Sequence, residues 1–180
     1  ALAAIAVARE LDISMEDIKQ SLEKFKGIDR RCQVYENQTI EQKTCTFIDD
    51  YGHHPEEVKM VLSTIRRRWP GSRLVVIFQP HRYTRTNDLF EDFVEVLSDV
   101  DSLILLEVYA AGEKFIKGAD SRSLAKAIRK RGKVDPVFVP HIVSLQNVLK
   151  DVVEGGDLIA FLGAGDIGKL VENLCNKQRV

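Results

Sequence analysis

The chain has 180 residues, 44% of them hydrophobic and 29% charged, with 26 Lys and Arg against 27 Asp and Glu for a net charge of -1. That balance gives no overall attraction to nucleic acid, and no apolar run approaches the ~20 residues needed to span a bilayer, so membrane insertion is not expected. Three cysteines, Cys32, Cys45 and Cys175, offer neither an even framework nor a C-x-x-C pair; disulfides and zinc are poorly supported, and a reducing cytoplasm fits.

The chain opens ALAAIAVARELDIS, without an initiator Met or a basic leader, and reads as the middle of an alanine-rich helix. It is expected to be a piece of a longer protein. Residues 1–25 predict two helices, the second capped by Ser14 with Asp17 at capping-box spacing and striped by Ile18, Leu22 and Phe25. Gly27 ends them, and a boundary is expected near 27–31. Alternation over Val34–Ile40 and Thr44–Ile48, with turn-prone Glu36, Asn37 and Gln38 between, predicts a small hairpin.

Beyond Asp50 helices and strands alternate: helices over 56–69, 87–98, 121–131, 142–153 and 166–176, strands over 73–79, 102–108, 134–139 and 157–162. Strands such as LVVIF, LILL and LIAF are apolar throughout, as when helices cover both faces of a parallel sheet. The fold class is α/β, a doubly wound, mostly parallel, Rossmann-like sheet with a short helical N-terminal segment. In such sheets ligands sit beyond the carboxyl ends of the strands. IDDYGHHP, QPHRYTRT, EVYAAGE and GAGDIG all fall there.

In the first of these loops Asp50 can accept from sugar hydroxyls, Tyr51 can offer a face to a base, and His53 is a switchable donor. Pro55, Glu56 and Glu57 read as capping residues of the next helix. The adjacent His53 and His54 point apart and make a poor metal pair. In the second loop His81, Arg82 and Arg85 follow Pro80, and unpaired N–H groups of a helix starting near Asn87 add to them, a combination suited to an anion. The bland alternative is surface pairing with Asp88, Glu91 or Asp92. Arg66, Arg67 and Arg68 read as a solvated helix end. Asp120 and Ser121 are expected to cap a helix, while Tyr109 and Glu113 stand by the crevice with no orientation legible from sequence.

GAGDIG, from Gly163 to Gly168, has dinucleotide spacing but lies after the last strand, with no acid ~20 residues on. A tight turn that lets the final helix pack is the simpler reading; contact with a substrate group and NAD binding are the others. No G-x-S-x-G elbow supports serine hydrolysis.

Together GIDRR, DDYGHHPEEV, IFQPHRYTRT, EVYAAGE, GADSRSL and GAGDIGK resemble the Mur ligases, and within them the branch that joins L-alanine to UDP-N-acetylmuramate in peptidoglycan synthesis. The resemblance covers essentially the whole chain. It implies that residues 1–27 end a central ATPase domain and that 28–180 form the C-terminal amino-acid-binding domain of a bacterial, cytoplasmic enzyme. By position Arg31, Asp50 and Tyr51 are implied to meet the nucleotide, and His53, Arg82 and Arg85 the alanine carboxylate and the muramyl substrate. ATP and Mg2+ are the implied cofactors; no GxxxxGK[ST] loop occurs, so the phosphate and metal sites would lie upstream and this chain alone would be inactive. Cys32 stands where an aromatic such as Phe is expected. The alternative is a stand-alone α/β module that binds a small anion.

Overall fold

The strand Leu74–Phe78 shows how the sheet is built: all five of its residues are buried, with Leu74, Val76 and Phe78 in one core and Val75 and Ile77 in another. Successive strand side chains point to opposite faces, so a wholly apolar strand needs cover on both. The structure, a computed structural model, describes residues 2–25 and 27–176. Ala1, the first residue of the expected opening helix, lies outside them.

Helix α1 (Leu2–Glu10) buries no residue and α2 (Met15–Lys24) only Ile18. Ser14 caps α2 as expected, accepting from the Asp17 N–H at 3.1 Å and donating to its carboxylate at 2.6 Å. Strands β1 (Gln33–Ile40) and β2 (Lys43–Asp50) run antiparallel. The chain reverses next to Glu41, at φ 57°, and Glu36–Gln38 do not turn it: the register shifts between Tyr35 and Gln38, with Asn37 at φ 55°. Asn tolerates a left-handed backbone, and a bulge uses that tolerance as readily as a turn does. Nor is the hairpin separate, since β2 pairs in parallel with β6.

The remaining elements are α3 (Pro55–Arg68), β3 (Leu74–Phe78), α4 (Tyr83–Asp88), α5 (Phe90–Leu97), β4 (Ser102–Leu106), α6 (Ser121–Arg131), β5 (Val137–Val139), α7 (Leu145–Val152, entered by a 3-10 turn), β6 (Leu158–Leu162) and α8 (Ile167–Asn176). The helix expected from Asn87 starts at Tyr83 and breaks at Leu89. YTRT carries no apolar period, and its start is fixed by tertiary contacts instead. Pro55 opens α3 and Asp120 caps α6, accepting from the Ser123 N–H at 2.9 Å.

The described strands form one sheet in the order β1-β2-β6-β3-β4-β5, parallel except for β1. Helices α3, α5 and α6 cover one face through Val58, Leu62, Ile65, Phe93, Leu97, Leu124 and Ile128. Leu145 and Leu149 of α7 and Ile167 and Val171 of α8 cover the other. Strand β6 therefore lies between two strands whose following helices go to the opposite face. Loops diverge on either side of it and leave a crevice at the carboxyl end of the sheet. No described helix is long and apolar enough to cross a membrane.

Gly163 leaves β6 at φ +145°, where an added Cβ would stand 2.8 Å from the Gln79 carbonyl oxygen. Both the backbone and the contact oppose a side chain, so Gly163→Ala should destabilise the chain by about 1–3 kcal/mol. A urea melt with an unchanged midpoint would show that this loop has room.

Candidate functional site

Asp50 ends β2 at 4% exposure, and both its oxygens are engaged: Oδ1 accepts from the Gly52 N–H and Oδ2 from the Cys32 N–H, each at 2.7 Å. Its carboxylate thus shapes the loop after β2 and holds the start of β1, where Cys32 has φ 48°. The loop is closed further by Glu57, whose Oε2 accepts from the N–H groups of His53 (3.0 Å) and His54 (3.2 Å). Burial pushes the Glu57 carboxyl up, but those two bonds, with the neighbouring charges of His53 and Arg31, outweigh it and leave its pKa below the usual value.

Of the two adjacent arginines, sequence reasoning selected Arg31; Arg30 carries the internal contacts. Its Nε donates to Asp49 at 3.1 Å and its Nη2 to the Gly163 carbonyl at 2.6 Å, and its own carbonyl accepts from the Tyr51 N–H at 2.8 Å. Asp49 is 1% exposed; burial raises its pKa, and Arg30 opposes that rise. Arg30 and Arg31 both stand over the Tyr51 ring, at 5.2 and 5.5 Å from its centroid. Tyr51 is 37% exposed, so the ring and Arg31 form an aromatic and cationic platform open to solvent.

The second loop meets the first through its rings. His53 lies 5.5 Å from Tyr51 and 5.6 Å from His81, which in turn stacks on Tyr109 at 5.5 Å with 15° between planes. Nδ1 of His53 donates to the Tyr51 carbonyl at 3.0 Å, which leaves Nε2 as the acceptor of the neutral ring. His81 is the reverse: its Nδ1 takes the Arg85 Nη1–H at 3.2 Å, so its proton sits on Nε2. Arg85 also donates to the His81 carbonyl at 3.0 Å. Burial, then the charge of Arg85, holds the His81 pKa below its ordinary value, with smaller contributions from His53 and Arg82. Arg82 precedes α4 with its side chain half exposed.

The structure therefore brings His53, Arg82 and Arg85 to one sheet end through His81, and sets Arg31 and Tyr51 beside them. Asp50 supports this surface from beneath. The helix N–H groups expected near Asn87 are not part of it, because α4 begins earlier and the N–H of Thr84, in its first turn, is taken by Glu113. Cationic and imidazole groups on this scale can grip a carboxylate or phosphate and offer it both a donor and an acceptor. Among the described residues no group of three His, Cys, Asp or Glu is placed to hold a metal ion.

GAGDIG closes the far side of the crevice. Gln79 is buried and donates from Nε2 to Asp166 at 2.6 Å, while its Oε1 accepts from the Ile167 N–H at 3.2 Å and so caps α8. A Cβ on Gly165 would collide with Gln79 and Tyr109, and one on Gly168 with the Arg30 guanidinium. The glycines clear space for protein side chains, the arrangement of a packing turn. Between them and the loop after β4 is a crevice of about 410 Å³, lined in part by Glu107, Tyr109, His141 and Asp166.

Comparison with known proteins agrees with this architecture. The chain is 53% identical over 174 residues to a UDP-N-acetylmuramate–L-alanine ligase of Methylococcus capsulatus, and 50% identical over 175 residues to one of Nitrosomonas eutropha. Each match covers 97% of this chain and 37% of the relative, so the chain spans little more than a third of their length. The solved UDP-N-acetylmuramate-alanine ligase of Thermotoga maritima superposes with a TM-score of 0.74 at 25% identity, over 99% of this chain and 36% of that one. The family model described as Mur ligase, glutamate ligase domain matches residues 30–165, and the chain belongs to the Mur ligase family as its C-terminal domain.

Proposed function

We propose that this chain is the C-terminal part of an ATP-dependent ligase that joins L-alanine to UDP-N-acetylmuramate in the bacterial cytoplasm. The observation that carries the reading is the 53% identity to a ligase of that name, which extends over 97% of the chain and so includes both loops. In the whole enzyme ATP would phosphorylate the lactyl carboxylate, and the alanine amine would displace phosphate to form the amide. Mg2+ would neutralise the phosphates, held by residues outside this chain.

Within that reaction Arg82 and Arg85 hold the alanine carboxylate and the reacting end of the muramyl substrate, a pairing that a guanidinium makes through two parallel bonds. His53 presents an acceptor nitrogen on the same side and His81 a donor. Arg31 and Tyr51 meet the nucleotide, the ring under the base and the guanidinium beside it. Asp50 serves that half of the site by fixing the backbone on which both are carried.

Residues 1–27 are the end of the central domain and 28–180 the amino-acid-binding domain. Their packing supports the division: α1 and α2 bury only Ile18 between them, while the apolar side chains of Leu2, Val7, Leu11 and Met15 lie well exposed and suit cover by more of the same polypeptide.

The direct test is phosphate release by the full-length protein given ATP, UDP-N-acetylmuramate and L-alanine, with glycine and D-glutamate as controls. Release with every amino acid alike would sink the assignment of alanine. In that enzyme Arg82→Ala should raise KM for alanine about 10- to 100-fold with little change in melting temperature, as loss of a charge-assisted contact requires. Histidine NMR gives a further check. His81 should titrate below 6.5, and Arg85→Ala should move its midpoint upward. Because the folded pKa is the lowered one, the unfolded chain binds this proton more readily. Stability is therefore lost as pH falls from 6.5 towards the folded midpoint.

A further inference from the structure

Arg82 has φ 73° and ψ 135°, a strained conformation that L residues rarely adopt and that persists only where its surroundings impose it. Two elements impose it. On its own side, the Arg82 carbonyl accepts from the Thr86 N–H at 3.1 Å and from the buried Thr86 hydroxyl at 2.9 Å. From the neighbouring strand, the loop after β4 pairs with it: the Arg82 N–H donates to the Tyr109 carbonyl at 2.9 Å, and the Tyr109 N–H to that of Pro80 at 2.8 Å.

Arg82 itself supplies no side-chain cap for α4. That task falls to Glu113, across the loop. Its Oε2 accepts from the Thr84 N–H at 3.0 Å and its Oε1 from the Thr84 hydroxyl at 2.7 Å, and the same Oε1 lies 3.9 Å from Nη1 of Arg82. The turn that delivers it is specific: Ala111 and Gly112 take φ 50° and 84°, and the Glu113 N–H closes onto the Ala110 carbonyl at 3.0 Å.

We propose that Glu113 is a positioning residue for Arg82, fixing both the first turn of α4 and the guanidinium that receives the substrate carboxylate. The proposal rests on the reading of Arg82 given above. A long, solvent-screened ion pair of this kind contributes little to stability, so its value lies elsewhere. A flexible arginine loses rotamer freedom when it grips a ligand, and a carboxylate that restricts it beforehand lowers that cost. Glu113 carries its charge throughout the neutral range, since the bonds from Thr84 hold its pKa below the usual value.

The test uses the full-length enzyme with Glu113→Ala, Glu113→Gln, Arg82→Ala and the Glu113→Ala/Arg82→Ala double variant, measuring kcat and KM for L-alanine and for ATP. Glu113→Ala should raise KM for alanine roughly fivefold or more while KM for ATP stays within about twofold. Glu113→Gln keeps an acceptor for Thr84 and loses the charge, and should fall between. In the Arg82→Ala background Glu113→Ala should add nothing. Penalties that multiply, or equal rises in both KM values, would overturn the proposal by showing a role independent of Arg82. So would a normal KM for alanine in both Glu113 variants when Arg82→Ala raises it. Should Glu113→Ala fail to fold, Glu113→Gln decides alone. If Arg82→Ala itself leaves alanine use intact, the assignment of Arg82 is what fails, and Glu113 falls with it.

Discussion

One guanidinium ties the connector from the helical segment to the ends of two paired strands. Arg30 follows the connector from the helical segment, yet it holds Asp49 at the end of β2 and the Gly163 carbonyl at the end of β6. A buried carboxylate stripped of its partner costs several kcal/mol, and Asp49 is buried almost completely. The same guanidinium fills the space beside Gly168, so α8 can approach only because that position has no side chain. The platform of Tyr51 and Arg31 is built on this clamp, as the Arg30 carbonyl fixes the Tyr51 backbone.

Charge is divided by depth at the carboxyl edge of the sheet. Asp49, Asp50 and Glu57 are spent on the partly buried Arg30 or on backbone N–H groups. Arg82 keeps its side chain half exposed, and Arg31 stands over an exposed ring. The two buried aspartates therefore lie behind bases that face solvent, and the surface offered to a ligand is more cationic than the neutral composition of the chain implies. The two histidines extend this economy, because each has its proton placed by a local partner before any ligand arrives.

The parallel strands and the crossover helices were legible because a strand buried on both faces has no polar residues to hide it. The hairpin was legible too, but not its place: nothing in Lys43–Asp50 announces that β6, more than a hundred residues later, will pair with it. Both polar loops could be placed at the carboxyl end of the sheet from their position after apolar strands. What sequence could not supply was which of two adjacent arginines turns inward. That choice depends on a carboxylate and a carbonyl far along the chain. Likewise Tyr109 and Glu113 could be placed near the crevice, whereas their orientation depends on a turn with two left-handed residues. The start of α4 was missed for a related reason, since its cap comes from another loop.

The bulge in β1 and the brevity of β5 together matter for how this sheet survives in a crowded solution. Both are edge strands, and an edge with free N–H and C=O groups is a template for intermolecular pairing. Asn37 interrupts the first at a point where Glu36 and Asn37 are exposed. The second spans three residues, Val137–Val139, enclosed by Pro136 and Pro140, which lack the donor that a ladder needs. A highly apolar sheet is thus left with no long, regular margin on which a second molecule could grow a cross-β stack.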